Sequence, residues 1–343
     1  MVIHRLLSEQ YRTLPVLINE STSLGKTYII TGGNSGLGLE TARHLVKASA
    51  ATVILAVRNL TAGQKAKDEI EKLTGRTGVV QVRHLDMSSY ASVQSFAQKI
   101  SAEVDRIDGF VCNVGVMLDA WSTTEGFETS IFVNVISTVF LGVLMMPKLS
   151  ACDRKFGSRP TIVFIVSILG YIAKGEMDKS RPGPVFELLN DEKLANMGQR
   201  YAMSKLIEEA AVRQLAALCP VERTGVVVAM VAPGLCATGL GHQGRTFTKI
   251  VQGTLKALMA RTAEEGSRTY LHGLVVGAEG HGKLLSGCKI KENWVPDWLL
   301  NEEGLKLQKD IWKDLAAELE RVQPGCISQL ASLSILSSPA PVI

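Results

Sequence analysis

Three residues have the types and spacing needed for proton transfer at a carbonyl oxygen. Tyr201 and Lys205 stand four residues apart at the start of an apolar, helix-forming stretch, which places both side chains on one helix face. A phenol ionises near pH 10, but a nearby ammonium stabilises the phenolate and lowers that pKa. Ser167 ends a β-branched strand, where its hydroxyl is available to a substrate oxygen or to the local backbone. A YxxxK pair arises often by chance, so its meaning depends on whether Ser167 lies opposite.

A glycine-rich segment, Thr31-Gly-Gly-Asn-Ser-Gly-Leu-Gly38, lies between the first predicted strand and its helix. Glycines there permit a tight turn and let backbone N–H groups approach a pyrophosphate at the positive end of the helix. The spacing is TGxxxGxG rather than GxGxxG, and an ordinary turn between a strand and a helix remains the alternative. Its position in the first βα unit favours a nucleotide site.

Arg58 and Asn59 follow the second predicted strand, where a dinucleotide's adenosine ribose is usually recognised. An acidic residue there would bind the 2′-hydroxyl of NAD, whereas an arginine accommodates the 2′-phosphate of NADP. No Asp or Glu occurs between Thr41 and Thr61. Arg58 is either an ordinary solvated charge or a determinant of NADPH/NADP+ binding, and the missing carboxylate favours the second interpretation.

The elements that must position these residues alternate between short β-branched runs and amphipathic stretches, which is typical of a parallel sheet flanked by helices. Continuous apolar runs such as VVVAMV indicate strands buried on both faces. We therefore predict an α/β fold with a doubly wound parallel sheet. The predicted strands are Thr27–Thr31, Thr52–Val57, Val79–His84, Gly109–Asn113, Thr161–Ser167 and Gly225–Val231. The predicted helices are Leu37–Ala48, Thr61–Leu73, Ser89–Val104, Gly126–Met146, Arg200–Leu218 and Asn301–Val322.

One domain over residues 24–290 accounts for this rhythm, with an N-terminal arm over residues 1–23 and a C-terminal helical extension and tail over residues 291–343. Residues 171–199 form a polar insert of the length that often acts as a lid on the substrate side. A second loop, residues 239–261, is mostly apolar and rich in glycine. Together they suggest a large apolar substrate.

Composition excludes several classes of protein. The 343 residues have a net charge of only +4, without the basic stripe that nucleic-acid binding requires. Six widely spaced cysteines and six histidines without ligand spacing predict no metal site and no disulfide framework. The N-terminal segment lacks the apolar core of a signal peptide, and the apolar stretch Ile131–Pro147 is shorter than a membrane span and is predicted to be a buried helix. These features favour a cytoplasmic protein.

The residues taken together resemble the short-chain dehydrogenase/reductase family, whose fold is the Rossmann fold. Its motifs occur in family order between residues 27 and 240: Thr31–Gly38, Asp86, Asn113-Val-Gly115, Asn134, Ser167, Tyr201 with Lys205, and Pro233-Gly234-x-x-x-Thr238. The insert and the C-terminal stretch resemble retinol-dehydrogenase-like reductases, especially those of fungal secondary-metabolite pathways.

The resemblance implies a role for each matching residue. Tyr201 would donate the proton, Lys205 would lower its pKa and hold the nicotinamide ribose, Ser167 would bind the substrate oxygen, and Asn134 would support a water relay to Lys205. The remaining residues would bind the cofactor: Thr31, Gly32, Asn34, Ser35, Gly36, Leu37, Gly38, Arg58, Asn59, Asp86, Met87, Asn113, Val114, Gly115, Pro233, Gly234 and Thr238. The predicted helix Gly126–Met146 and the Tyr201 helix form a dimer interface in this family, which implies a possible homodimer.

The resulting expectation is an NADPH-dependent reductase of a ketone or aldehyde, or the reverse alcohol oxidation. Cys112 and Val114 depart from the family's usual Asn-Asn-Ala-Gly and bear on adenosine binding. Two alternatives use the same fold: a non-redox enzyme such as a dehydratase or cyclase, and a cofactor-sensing protein without catalysis.

Overall fold

Eight strands form one central sheet in the computed structural model, which describes residues 10–179, 184–239 and 260–333. The strands are β1 Thr27–Thr31, β2 Thr52–Val57, β3 Val80–His84, β4 Gly109–Cys112, β7 Thr161–Ile165, β8 Val227–Ala232, β9 Leu284–Ser286 and β10 Lys289–Ile290. Their order in the sheet is β10-β9-β8-β7-β4-β1-β2-β3. Neighbours are parallel except β9 and β10, which form an antiparallel edge pair. The predicted doubly wound parallel sheet is confirmed.

Seven long helices accompany the sheet in the part of the chain that the structure describes. They are α1 Gly36–Lys47, α2 Leu60–Thr74, α3 Tyr90–Glu103, α4 Thr138–Phe156, α5 Met197–Leu218, α6 Ala263–Val275 and α7 Glu302–Val322. Two apolar clusters fill the interfaces, and both include strand residues, because successive side chains of one strand face opposite sides of the sheet. The inner strands are buried almost throughout, as their apolar runs predict, whereas the edge strands β3 and β10 are mostly half-buried or exposed.

The helix predicted at Gly126–Met146 is wrong at both ends. Gly126 lies in a tight hairpin between the short strands β5 Thr123–Thr124 and β6 Phe127–Glu128. The helical run begins at Thr129, where the Glu128 carboxylate accepts hydrogen bonds from two N–H groups of the first turn. It continues to Phe156, with Pro147 inside it. The run is long and apolar enough to cross a membrane, but 89% of its most apolar window is buried within the protein. A buried helix at Ile131–Pro147 is therefore confirmed.

Among the described strands of the central sheet and the long helices, three were not predicted: β9, β10 and α6. The two strands are too short to produce a periodic pattern. α6 had a signal, because Thr262 caps its first turn by accepting a hydrogen bond from the N–H of Glu265, in a Thr-x-x-Glu arrangement typical of helix starts.

The outer parts of the chain pack on the central sheet and its helices as far as they are described. In the insert, Phe186 and Leu189 are buried. The buried face of α7, which includes Ile311 and Leu315, packs against α5. In the arm, Leu14 is buried beside α6, with its N–H donating to Glu265. The remainder of the arm, insert, apolar loop and tail, residues 1–9, 180–183, 240–259 and 334–343, lies outside the described residues.

Candidate active site

A cavity of about 630 Å³ opens at the carboxyl ends of the strands. This is where ligands bind in open α/β sheets, and the volume is in the range of small-molecule sites. Fourteen of the predicted site residues line it: Gly32, Asn34, Ser35, Gly36, Leu37, Asn113, Val114, Gly115, Ser167, Tyr201, Lys205, Pro233, Gly234 and Thr238. The sequence motifs, which are separated by up to two hundred residues, thus meet in one place.

The glycine-rich turn forms one wall. Gly32 has a φ of +65°, a left-handed conformation that favours glycine. At Gly38 a side chain is excluded by packing, since a Cβ would lie 2.9 Å from the Gly32 carbonyl oxygen. Ser35 begins α1 without a side-chain cap, so the N–H groups of the first turn face the cavity without a partner from that side chain. These features suit a pyrophosphate, so a dinucleotide fits this wall.

Thr31 and Asn113 join the ends of β1 and β4. The Thr31 hydroxyl accepts hydrogen bonds from the N–H groups of Asn113 and Val114, at 2.9 and 3.1 Å. The Asn113 amide donates to the Thr31 carbonyl at 2.8 Å and accepts from the Tyr270 hydroxyl at 3.0 Å. The departure at Val114 therefore leaves the backbone of this turn fixed, and its side chain faces the cavity.

The catalytic candidates converge on the opposite wall. Ser167 precedes a short 3₁₀ helix, Ile168–Ala173, and its Oγ accepts a weak hydrogen bond from the Leu169 N–H at 3.3 Å. The Ser167 side chain is close enough to the Tyr201 hydroxyl to lower its pKa. Lys205 Nζ donates to the Ile165 carbonyl oxygen at 2.7 Å. The structure thus places Ser167, Tyr201 and Lys205 together, as their sequence positions predict.

Burial dominates the acid–base properties of this group. It raises the pKa of Tyr201 above its ordinary value, against the Lys205 ammonium and the Ser167 side chain, which both lower it. The sequence alone predicts the lowering by Lys205 but not the larger opposing effect of burial. For Lys205, burial favours the neutral amine, but the nearby Glu208 carboxylate and the Tyr201 phenol reverse this and raise its pKa. The ammonium therefore stays charged at neutral pH.

Asn134 lies in a π-helical segment, Phe132–Ser137, that leads into α4. Such segments interrupt α-helices frequently at functional sites. The Asn134 amide accepts from the Val116 N–H at 2.8 Å and donates to the Val116 carbonyl and to Ser204 Oγ, both at 2.9 Å. A Cβ added to Gly115 would lie 3.4 Å from Asn134 Oδ1 and 3.6 Å from Lys205 Nζ, so the two polar groups lie on either side of the same small space.

Seven of the predicted site residues are not part of the cavity wall formed by the described residues: Thr31, Gly38 and Asn134, described above, and Arg58, Asn59, Asp86 and Met87. Arg58 is exposed at the end of β2. Asn59 caps α2 by accepting from the Ala62 N–H at 3.0 Å, and Met87 is buried in the core. The Asp86 carboxylate accepts from the N–H and hydroxyl of Ser88, at 2.9 and 2.6 Å. Asn59 and Asp86 therefore each have a local structural role in addition to the predicted one.

The cavity also includes residues that the motif analysis did not assign. Gln10 reaches in from the arm, and its amide makes two hydrogen bonds with the backbone of Leu235, at 2.6 and 3.1 Å. Arg261 is buried near Gly234, and Tyr270 supports Asn113. No feature of the sequence marks Gln10 as a site residue. Tyr270 could have been considered if α6 had been predicted from its helix-start pattern. The remaining wall is mainly apolar, and includes Val116, Met117, Leu118, Ile168, Leu169 and Trp294.

Comparisons with known proteins agree with this geometry. Residues 26–177 match the family model of the short chain dehydrogenases. The short chain dehydrogenase/reductase dmxR8 of Cryptosporiopsis sp. is 38% identical over 328 residues, which cover 94% of this chain and 98% of that protein. The short chain dehydrogenase atnD of Emericella nidulans is 39% identical over 287 residues, 82% of this chain and 90% of that protein.

Solved structures show the same fold at lower identity. A short chain dehydrogenase of Shigella flexneri complexed with NADP has a TM-score of 0.58 and 21% identity, covering 79% of this chain and all of that one. One of Escherichia coli complexed with NADPH has the same TM-score and identity. The near full-length similarity to dmxR8 establishes that this chain belongs to the short-chain dehydrogenase/reductase family of oxidoreductases, and most of the family's motifs lie around the one cavity.

Proposed function

We propose that this protein is an NADPH-dependent reductase that converts a ketone or aldehyde to an alcohol, or runs the reverse oxidation. The observation that supports it best is the convergence of Ser167, Tyr201 and Lys205 opposite the glycine-rich wall of one cavity. This arrangement has a proton donor, a hydrogen-bond donor for an oxygen and a fixed positive charge within a single site.

When bound, the reduced nicotinamide supplies a hydride to the carbonyl carbon, and the protein contributes position and proton transfer. Ser167 donates its hydroxyl hydrogen to the substrate oxygen and fixes the carbonyl beside Tyr201. Tyr201 then gives its proton to that oxygen, which becomes the alcohol. Lys205 stabilises the phenolate that remains and holds the ribose, while Asn134 supports proton return through water.

The glycine-rich wall, the Asn113–Gly115 turn and the loop Pro233–Thr238 would hold the dinucleotide. Arg58 would face its 2′-phosphate, with Asn59, Asp86 and Met87 on the adenosine side. The two solved relatives complexed with NADP and NADPH support this preference. The apolar part of the cavity wall, which includes Leu118 and Trp294, suits a large apolar substrate.

The pathway is proposed from the resemblance, and the cytoplasmic location from the sequence. It is a fungal-type secondary-metabolite pathway in the cytoplasm, with residues 24–290 as the catalytic domain. The homodimer also stays a prediction. The family's usual interface would involve α5, against which α7 packs in this chain.

The cofactor preference is tested by titrating the protein with NADPH and NADH and following energy transfer from tryptophan to the nicotinamide. We expect NADPH to bind at least about tenfold more tightly, or ~1.4 kcal/mol, and Arg58→Ala to remove most of that difference. Equal binding of both cofactors would contradict the role of Arg58.

The catalytic assignment is tested with Tyr201→Phe in a screen of apolar ketones. Loss of general acid catalysis predicts a fall in kcat of roughly 10²–10⁴-fold with unchanged NADPH affinity. If Tyr201→Phe keeps its turnover, a non-redox enzyme is favoured instead. If neither the original protein nor Tyr201→Phe shows turnover, but the protein binds a partner only with the cofactor present, a sensor is favoured.

A further inference from the structure

The ammonium of Lys205 has a second partner that the proposed mechanism does not use. Glu208, one helical turn further along α5, accepts a hydrogen bond from Lys205 Nζ through Oε2 at 2.7 Å. The two side chains are only 5% and 1% exposed. Because Lys205 also donates to the Ile165 carbonyl, two of its three N–H groups are engaged and one is left for the catalytic side of the site.

The groups around Glu208 identify Lys205 as its counter-charge. On α5 it is flanked by Tyr201 and Lys205 on one side and Glu209 on the other, while Cys112 of β4 and Tyr270 of α6 face it across the core. Among the described residues, the only cation paired with Glu208 is Lys205.

The neighbouring carboxylate has different partners. Glu209 accepts from Arg213 at 3.0 Å and from the Tyr171 hydroxyl at 3.0 Å. The two adjacent buried carboxylates of α5 therefore pair with different cations: Glu209 with Arg213, and Glu208 with Lys205.

Glu208 and Lys205 act on Tyr201 in opposite directions. Lys205 lowers the pKa of Tyr201 and the Glu208 carboxylate raises it, both within a site where burial has the largest effect. Burial also raises the pKa of Glu208 itself to about 7, against the opposing attraction of Lys205. The carboxylate thus changes charge around neutral pH.

We propose that Glu208 is a positioning residue, which holds Lys205 at the Ile165 carbonyl and offsets the positive charge that Lys205 presents to Tyr201. A catalytic role for Glu208 rests on the proposed function, but the effect of its charge on the ionisation of Tyr201 can be measured without it. Below the pKa of Glu208 the full charge of Lys205 acts on the phenol, and above it this charge is partly compensated. Glu208 therefore contributes to how readily Tyr201 ionises, together with burial and Lys205.

The test is Glu208→Gln, which keeps the shape of the side chain and removes its charge. Protein with ¹³C-labelled tyrosine is titrated between pH 8 and 11 by NMR, and the Tyr201 signal is assigned by its absence in Tyr201→Phe. The charge of Lys205 is followed in the same samples by the NMR signal of its Nζ, because the Glu208 carboxylate also raises the Lys205 pKa. Over the pH range in which Lys205 remains an ammonium in both proteins, we expect the ratio of phenolate to phenol at Tyr201 to rise about tenfold, a shift of about one pH unit. Glu209→Gln is the matched control, with the Tyr201 titration unchanged.

An unchanged Tyr201 titration in a folded Glu208→Gln protein, with fold checked by circular dichroism at the same pH, would overturn the proposal. If the glutamine variant does not fold, Glu208→Asp is titrated in the same way. Its carboxylate is withdrawn by one methylene, so a smaller shift of the same sign is expected and no shift would contradict the idea.

The measurement needs no substrate, so it separates the two proposals. A shifted Tyr201 titration combined with full turnover in Tyr201→Phe would refute the proposed function and leave the electrostatic role of Glu208 intact. Once a substrate is known, the limb of the kcat/KM profile due to Tyr201 should move to lower pH in Glu208→Gln by the same amount.

Discussion

Gly170 fixes the distance between the two halves of the candidate catalytic group. It lies in the 3₁₀ helix after Ser167 and packs directly on the backbone of α5. A Cβ at this position would lie 2.8 Å from the Leu206 nitrogen, 3.1 Å from its Cα and 3.2 Å from the Lys205 carbonyl carbon. Ordinary contacts are 3.5–4.0 Å, so Gly170→Ala must move the two elements apart by roughly half an ångström.

This movement has two measurable costs. Overpacking of a buried contact destabilises proteins by about 1–3 kcal/mol, which a urea unfolding curve detects. The same displacement separates Ser167 from Tyr201, and since misplacement by about 1 Å costs about 10²-fold, we expect kcat to fall on the order of tenfold. NADPH affinity should change little, because the glycine-rich wall is on the other side of the cavity.

Gly175→Ala is the matched control for this substitution. Gly175 lies five residues further along, in the short helix Lys174–Lys179, and its Cβ position has no atom within 4 Å. Alanine there should be neutral or stabilising by up to about 1 kcal/mol. If Gly170→Ala matched this control in both stability and turnover, the packing of this 3₁₀ helix would not be what positions Ser167.

Two further predictions concern other parts of the molecule. Gln10→Ala removes two hydrogen bonds to the loop after β8, each of which contributes about 1 kcal/mol, so NADPH binding should weaken several-fold. Tyr11 is the neighbouring residue and is 73% exposed, so Tyr11→Ala is the control and should bind NADPH normally. Equal NADPH affinities of the two variants would show that the arm does not support the loop. Cys288 is half-buried, whereas the other five cysteines are buried, so it should be the first to react with a thiol reagent. Its partial burial raises the pKa of the thiol to about 11, so the reaction should be fastest at high pH. Cys288→Ser should remove the fast phase of labelling, and a persistent fast phase would mean that a buried cysteine becomes accessible.

The sequence predicts the central sheet well because its strands are buried on both faces. A strand such as β8 then needs an unbroken apolar run, and Val227–Ala232 has one. The edge pair β9 and β10 has three and two residues, and its formation depends on β8 being in place. No local pattern records such a dependence.

The same distinction applies to the site. Glycines and catalytic side chains occur at fixed spacing within one βα unit or one helix turn, so Thr31–Gly38 and the Tyr201–Lys205 pair are visible in the sequence. Glu208 looks like half of a surface ion pair with Lys205, since their spacing suits an exposed helix face. It is buried because α5 is covered on several sides, which only the tertiary structure reveals.

The packing of α7 on α5 has a consequence for the order of events during synthesis. The helix that contains Tyr201 and Lys205 leaves the ribosome well before α7, and until α7 arrives part of its apolar surface has no cover. Such long-range contacts slow folding, because the intervening chain must be ordered before the contact forms. We therefore expect the nascent chain to assemble β1 to β4 early and its catalytic wall late, and to depend on chaperones most strongly in the interval between the two helices.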